Sequence, residues 1–371
     1  MTALTAKRTK KLNLDFVRLN FPGIPAPVAA ARLAAVEWPV WLKPKVCEVT
    51  LNSRCNYKCL FCYNPPDFPA RADSLEPSFK EICRALYEGR KSGCWIAALI
   101  GGEPTLRRDI DKIAAFARKI GYPCVKVCTN GSTLADRAVA ARLAGAGVNM
   151  FDISLHGHDA RTHDALTGVP GAFAAVMRAA ENVRALGKEL GTNQVINRLN
   201  YRGFPEFFKL ALSGLGINYF NIIYGHYRGV MARNAARLRV PVSKTLPYLR
   251  EGLAYLEASG LPVLSRPLVN FPPCLLPGYA EITADWEIER RGEPLLRSDG
   301  SRADMEEMKL GQNRKPPACA RCAVNARCRG VDAEYLQLFG AAEFKPLKRV
   351  PASVPLPVVF AACAGRPGEG L

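Results

Sequence analysis

The chain of 371 residues is short of several things, and each shortage excludes something. No stretch approaches the ~20 consecutive apolar residues that cross a bilayer, and the most apolar run near the C-terminus, Val354 to Ala362, is short and interrupted by Pro357. The N-terminal basic cluster Lys7, Arg8, Lys10 and Lys11 is not followed by the apolar segment of about 7–15 residues that a secretory signal requires. It reads as a solvated tail, and a cytoplasmic location follows as the expectation. Histidine is scarce, with only His156, His158, His163 and His226. Acidic residues are outnumbered, 33 against 51 basic ones, for a net charge of +18, which points to anionic partners such as phosphates, nucleic acid or acidic peptide segments. No internal repeat is visible.

What is present supports a folded protein. With 49% hydrophobic and 23% charged residues the chain can bury a sizeable core, so a disordered or fibrous protein is excluded. At ~150 residues per domain the length allows two domains, or one large domain with an appendage. Thirteen cysteines in a reducing compartment act more often as metal ligands or catalysts than as disulfides.

From about residue 46 to about 223, short β-branched runs alternate with helical patterns, as βα units of a parallel sheet do. The expected strands are Val46–Leu51, Trp95–Ile100, Cys124–Thr129, Met150–Leu155, Gln194–Ile196 and Tyr219–Ile223. Ser78 and Glu81 form a capping-box pattern, Thr105 is placed to cap a helix ending at Gly121, and Pro170-Gly171 opens another ending at Gly187. Right-handed crossovers curl six such units into a partial (β/α)6 TIM-like barrel with functional groups at the strands' C-terminal ends. The expected organisation is an N-terminal extension (1–45), a barrel core (46–225), a linker with a smaller C-terminal domain (226–350) containing a helix near Leu246–Ala258, and a tail (351–371).

Just after the first strand stands Arg54-Cys55-Asn56-Tyr57-Lys58-Cys59-Leu60-Phe61-Cys62. Three thiolates in a C-x3-C-x2-C spacing can bind three irons of a [4Fe–4S] cluster and leave the fourth iron open. A structural zinc site, usually closed by four ligands, finds no histidine near this loop, and buried unrelated thiols are the plainer alternative. The loop, with Phe61 before its third cysteine, resembles the signature of the radical S-adenosylmethionine (radical SAM) superfamily. Gly101-Gly102-Glu103-Pro104 after the second strand, Thr129-Asn130-Gly131 after the third and Ser154-Leu155-His156-Gly157 after the fourth agree with it in order and position.

The resemblance implies that Cys55, Cys59 and Cys62 hold the cluster and that the open iron chelates SAM. It also places Gly101, Gly102 and Glu103 at the SAM amino group, and Asn130 and Ser154 nearby. Relatives often carry Asp where this chain has His156, which leaves His156 as a SAM donor, an acid or base toward substrate, or a packing residue. Asn197, after the fifth strand, is a further cofactor contact or simply a turn residue.

A second run, Cys319-Ala320-Arg321-Cys322 to Cys328-Arg329-Gly330, supplies three soft ligands, with Cys274 as the expected fourth, Cys363 the alternative and Cys47 a weaker one. Four thiolates suit zinc or a closed [4Fe–4S] cluster. The segment resembles the auxiliary-cluster domains called SPASM or twitch, with Tyr335 and Phe339 following, and the resemblance implies one auxiliary [4Fe–4S] cluster.

The activity so implied is reductive cleavage of SAM to a 5′-deoxyadenosyl radical that abstracts hydrogen from a substrate C–H, with electrons from an external reductant such as flavodoxin or ferredoxin. The substrate expected is a peptide or protein side chain, or an anionic small metabolite. The dense arginines Arg228, Arg233, Arg237 and Arg239 offer a phosphate or carboxylate site or merely a charged helix face. Aromatics do not interleave with them, so nucleic acid is a weak expectation. The competing readings are a non-catalytic iron–sulfur scaffold or electron carrier and a zinc-dependent nucleic-acid-binding protein.

Overall fold

The computed structural model describes residues 45–64, 76–217, 219–259, 268–283 and 292–350. Lys7, Arg8, Lys10, Lys11, the 351–371 tail and its Cys363 lie outside the described residues. All six expected strands form: β1 Val46–Thr50, β2 Ile96–Ile100, β3 Cys124–Thr129, β4 Met150–Ser154, β5 Glu189–Ile196 and β6 Tyr219–Tyr224. They pair side by side in chain order, every pair parallel. β5 begins at Glu189, well before the expected Gln194, because flanking strands supply hydrogen bonds that its Glu-Leu-Gly-Thr-Asn start does not advertise.

Helices cover the outer face. Phe79–Lys91 starts on a complete capping box between Ser78 and Glu81. Ile110–Lys119 ends before Gly121, whose φ of +89° suits the left-handed position after a helix. Thr105 does not cap that helix: it lies in a short 3-10 turn, Pro104–Leu106, and bonds instead to Glu103. Ala172–Ala185 follows Gly171 as expected. Val49, Leu99, Val127, Phe151 and Ile153 on the strands pack against Ile82, Leu86, Ile113, Val176 and Val183 on the helices, all fully buried. Each such side chain contributes ~1.5–3 kcal/mol.

The C-terminal segment extends the same sheet at both edges. β7 (Leu268–Val269) joins β6, while β8 (Pro294–Leu296) runs parallel to β1 and β9 (Arg302–Asp304) antiparallel to β8. The resulting nine-stranded order is β7-β6-β5-β4-β3-β2-β1-β8-β9, a mostly parallel sheet curled as a partial TIM barrel. The helix expected near Leu246–Ala258 spans Val242–Ser259. Two two-residue strands, β10 (Asn313–Arg314) and β11 (Val331–Asp332), pair near the second cysteine run. Among the described residues no helix is long and apolar enough to cross a membrane.

The inner face of the sheet starts apolar, with Ile96, Ala98, Cys124 and Met150 packed against Val46 and Tyr219. Side chains alternate along a strand, so Glu48, Lys126, Cys128, Asp152, Ser154, Asn193 and Asn221 share that inner face.

Candidate active site

The chain leaves β1 and carries its first three cysteines across the C-terminal ends of the strands. Burial raises the pKa of Cys59, and the neighbouring Cys55 and Cys62 thiols raise it further, so the three sulfurs share one microenvironment. The loop is pinned from several sides. Lys58 and Leu60 N–H donate to the carbonyls of Thr167 and Leu166 at 3.0 and 2.9 Å. Met231 N–H donates to Cys62 O at 3.0 Å, Val230 N–H to Asn64 O at 3.1 Å, and Asn234 Nδ2 to Leu60 O at 3.0 Å. Tyr57 N–H lies 3.4 Å from Cys55 Sγ, the kind of contact that stabilises a thiolate ligand.

The two glycines after β2 are required by this loop. A Cβ at Gly102 would stand 2.2 Å from the carbonyl oxygen of Arg54, and one at Gly101 2.8 Å from that of Asn52. The space exists because Gly102 N–H donates to Asn52 O at 2.9 Å and Glu103 N–H to Arg54 O at 2.6 Å, drawing the two loops into backbone contact.

Glu103 is fully buried, and its carboxylate is occupied by the protein. Oε1 accepts from Thr105 N–H (3.1 Å), Thr105 Oγ1 (2.5 Å) and Thr129 Oγ1 (2.7 Å), and Oε2 accepts from Asn130 N–H (2.7 Å). Burial pushes its pKa up, against these donors. Asn130 donates from Nδ2 to Asn56 Oδ1 at 2.8 Å, accepts from Ser132 N–H, and sits 4.0 Å from Cys55 Sγ. One carboxylate thus ties the loops after β2 and β3 together beside the cysteines. The motifs marked Glu103 and Asn130, but not their mutual bond or the roles of Thr105 and Thr129, which only the fold brings together.

Phe61 packs on His156 with ring centroids 4.3 Å apart. His156 is 4% exposed, and burial, then the neighbouring His163, holds its pKa well below the usual histidine range. Its Nδ1 accepts from Val195 N–H at 3.3 Å, which assigns the ring hydrogen to Nε2 of a neutral imidazole. His163 in turn accepts His156 N–H at Nδ1, 3.1 Å away. Ser154 stands on the inner face at the end of β4, paired in register with Asn193. Asn197 is wholly buried and bonds locally, its Nδ2 to Val195 O and its Oδ1 from Leu199 N–H, as a turn residue does.

The second set also converges. Cys274, Cys319, Cys322 and Cys328 line one cleft of about 400 Å³. Burial pushes the Cys274 thiol up to about 12, with Cys328, Cys319 and Cys322 adding to the shift. Backbone N–H groups of Gly330 and Leu347 each lie 3.3 Å from a cleft sulfur, on Cys328 and Cys322 respectively. A buried ion pair between Arg329 and Glu306 (Nε to Oε1, 2.8 Å) fixes the end of the run. Cys47 lies elsewhere, in the core of β1. Among the described residues no three His, Cys, Asp or Glu side chains converge on a point that would hold a single metal ion.

The two cysteine sites are joined by a strut that sequence reading did not anticipate. The segment that grips the first loop, His226 to Asn234, also reaches β11 and the helix Ala333–Phe339. His226 Nδ1 lies 2.7 Å from Asp332 Oδ2, and Arg228 Nε donates to Glu334 Oε1 at 2.8 Å. Arg228 is therefore committed to carboxylates, while Arg233, Arg237 and Arg239 remain exposed. Tyr335 packs with Phe339 at 4.6 Å and with Tyr224 of β6 at 5.3 Å.

Comparison with known proteins bears on the family and the fold. Residues 49–211 match the family model of the radical SAM superfamily. A relative in Methanosarcina barkeri, Fe-coproporphyrin III synthase, is 36% identical over 172 residues, covering 45% of this chain and 41% of its own length. A probable GTP 3′,8-cyclase of Saccharolobus solfataricus is 33% identical over 184 residues, 49% of this chain and 58% of its own. The chain thus spans about half the length of these curated relatives. The crystal structure of Streptococcus suis SuiB bound to precursor peptide SuiA superposes with a TM-score of 0.60 at 17% identity, over 87% of this chain and 79% of that one, a likeness of fold.

Proposed function

We propose that residues 49–211, which match the radical SAM family model, form a radical SAM domain, and that this chain is an enzyme that binds SAM and a [4Fe–4S] cluster and acts on a substrate C–H bond. The observation that carries it is the loop of Cys55, Cys59 and Cys62 gathered at the strands' C-terminal ends, three soft donors that leave one iron of a four-iron cluster open. When bound, such a cluster supplies the electron that cleaves SAM to methionine and a 5′-deoxyadenosyl radical, which removes a substrate hydrogen.

The chain's own residues do the positioning. Gly101 and Gly102 let the loop after β2 lie against the cysteine loop, and Glu103 locks Thr129 and Asn130 behind it. With its carboxylate so engaged, Glu103 acts as an organiser, and the groups left to face SAM are the backbone of 101–103, Asn130 and the inner-face Ser154. His156, neutral and packed at a tilt against Phe61, braces the cysteine loop beside Cys62. Cys274, Cys319, Cys322 and Cys328 hold an auxiliary cluster: the four line one cleft as soft thiolate donors, a set suited to a [4Fe–4S] cluster. Such a cluster supplies an electron acceptor or an anchor for substrate. The barrel core ends near 225 in function, and the segment to 350 serves the second site. The substrate class is a peptide side chain or a small metabolite, and a flavodoxin- or ferredoxin-type carrier delivers the electron.

Anaerobic reconstitution with iron and sulfide, iron counting and an assay for 5′-deoxyadenosine under strong reductant test this. About eight irons are expected per chain, with about four left and cleavage abolished in a Cys55/Cys59/Cys62→Ala triple variant. Tightly bound zinc, or full clusters without cleavage, would favour a zinc protein or an electron carrier.

A further inference from the structure

Barrel interiors are ordinarily filled by layers of Val, Ile and Leu. Here the inner wall carries charge instead. Lys126 Nζ, on β3, stands 3.5 Å from Asp152 Oδ2 on β4 and 5.1 Å from the centroid of the Tyr219 ring on β6. Asn221 Nδ2 donates to the same Asp152 oxygen at 2.9 Å. Asp152 is 0% exposed; among the described residues its other oxygen, Oδ1, makes no close hydrogen bond, and the Asn193 side chain is the further donor that acts on this carboxyl. That oxygen lies beside Gly191, where a Cβ would be 3.3 Å away.

Glu48, half-buried on β1, faces the same space, and among the described residues no hydrogen bond or ion pair engages it. The cations that act on it are Lys309 and Lys126, with Glu293 opposing. Tyr63, next to Cys62, keeps 60% of its surface accessible although the ionisable groups around its hydroxyl are Glu48, Cys62 and Cys128. Its exposed ring therefore stands between the cysteine loop and the charged layer.

Glu48, Asp152 and Glu293 stand against Lys126 and Lys309, three carboxyl groups to two ammonium groups, in a molecule whose total is +18. Burying a charged group costs several kcal/mol unless something compensates it, so the weakly engaged Oδ1 of buried Asp152 favours a donor beside it. An anion would meet two carboxyl groups there. A cation would find half-buried Glu48, Oδ1 of Asp152 and the neighbouring Tyr63.

We propose that the inner wall around Glu48, floored by the Lys126–Asp152 pair and overhung by Tyr63, is a subsite for a cationic group of the substrate, a primary ammonium or a guanidinium. The inference rests on the radical reading above only for what the bound group is presented to. It reverses the expectation of an anionic substrate, because the exterior charge that motivated that expectation does not extend to the inner wall.

The test uses agmatine, a short chain with an ammonium at one end and a guanidinium at the other, and glutarate, a dianion of similar length, titrated calorimetrically into the full chain. Agmatine is expected to bind and glutarate not to, with Glu48→Gln weakening agmatine about tenfold or more. Equal binding of agmatine to E48Q, binding of glutarate as tight as agmatine, or no binding of either would overturn the proposal. The choice between the two probes is read on the unmodified chain, so it stands even if E48Q folds poorly. 5′-Deoxyadenosine formation, measured on the same preparation, reports on the radical reading alone: its absence beside an intact preference for agmatine would sink that reading and leave the cation subsite.

Discussion

A carboxylate surrounded by four donors cannot be exchanged for an amide without loss. Glu103→Gln places an NH2 group among Thr105 N–H, Thr129 Oγ1 and Asn130 N–H, so at least one donor is left facing another. The expected cost is ~1–3 kcal/mol, together with faster amide exchange at Asn130, measured by denaturant unfolding and hydrogen exchange. His163 offers a pH readout. It is 0% exposed, and burial lowers its pKa from the usual 6.5 to about 4, with Asp164 opposing. A base with a depressed folded pKa weakens the fold where the unfolded chain alone is protonated. Stability is therefore full above about 6.5 and falls as pH drops toward about 4, by on the order of 2–3 kcal/mol. His163→Gln should flatten that slope between pH 7 and pH 4 in chemical-denaturation series; an unchanged slope would assign the acid lability to other groups.

At the scale of elements, the contact between the loops after β1 and β2 is set by missing side chains. Gly102→Ala would drive a Cβ to 2.2 Å from Arg54 O, backbone that cannot step aside, and should cost ~1–3 kcal/mol and lower iron loading of the first site. Gly145→Ala, at the end of the helix Arg137–Gly145 with nothing within 4 Å, should be neutral or stabilising by ~0.5–1 kcal/mol. Thermal melts of the two variants separate these outcomes. The same scale shows what the sequence could tell. Strands β1 to β4 and β6 and the Ser78–Glu81 box were legible because hydrophobic period and capping are local signals. The early part of β5 was not, since Gly191 and Asn193 owe their strand conformation to neighbours on both sides. Thr105 misled because a capping residue type stood in a separate short turn ahead of the helix, which begins only at Ile110. The charged inner layer was invisible for a related reason. Glu48, Lys126 and Asp152 are far apart in sequence, and only the register of four strands, β1 to β4, sets them on one wall.

For the whole molecule, the strut from His226 to Asn234 makes the two cysteine sites one mechanical unit. Arg228→Ala removes the bonds to Glu334 and Asp332 and leaves both carboxylates without that cation. Amide exchange is expected to rise both at 58–64 and around Cys328, although Arg228 belongs to neither segment; a rise at one end alone would show the ends to be independent. The strut also bears on how the protein is made. Asn234 holds the carbonyl of Leu60 from 174 positions further along the chain, and Arg228 finds Glu334 only after another 106. A ribosome releasing about 5–20 residues per second exposes the first three cysteines well before the residues that clamp them. During that interval the three thiols lack the contacts from 226–234 that pin their loop, so the loop takes its final form only after the later segments arrive.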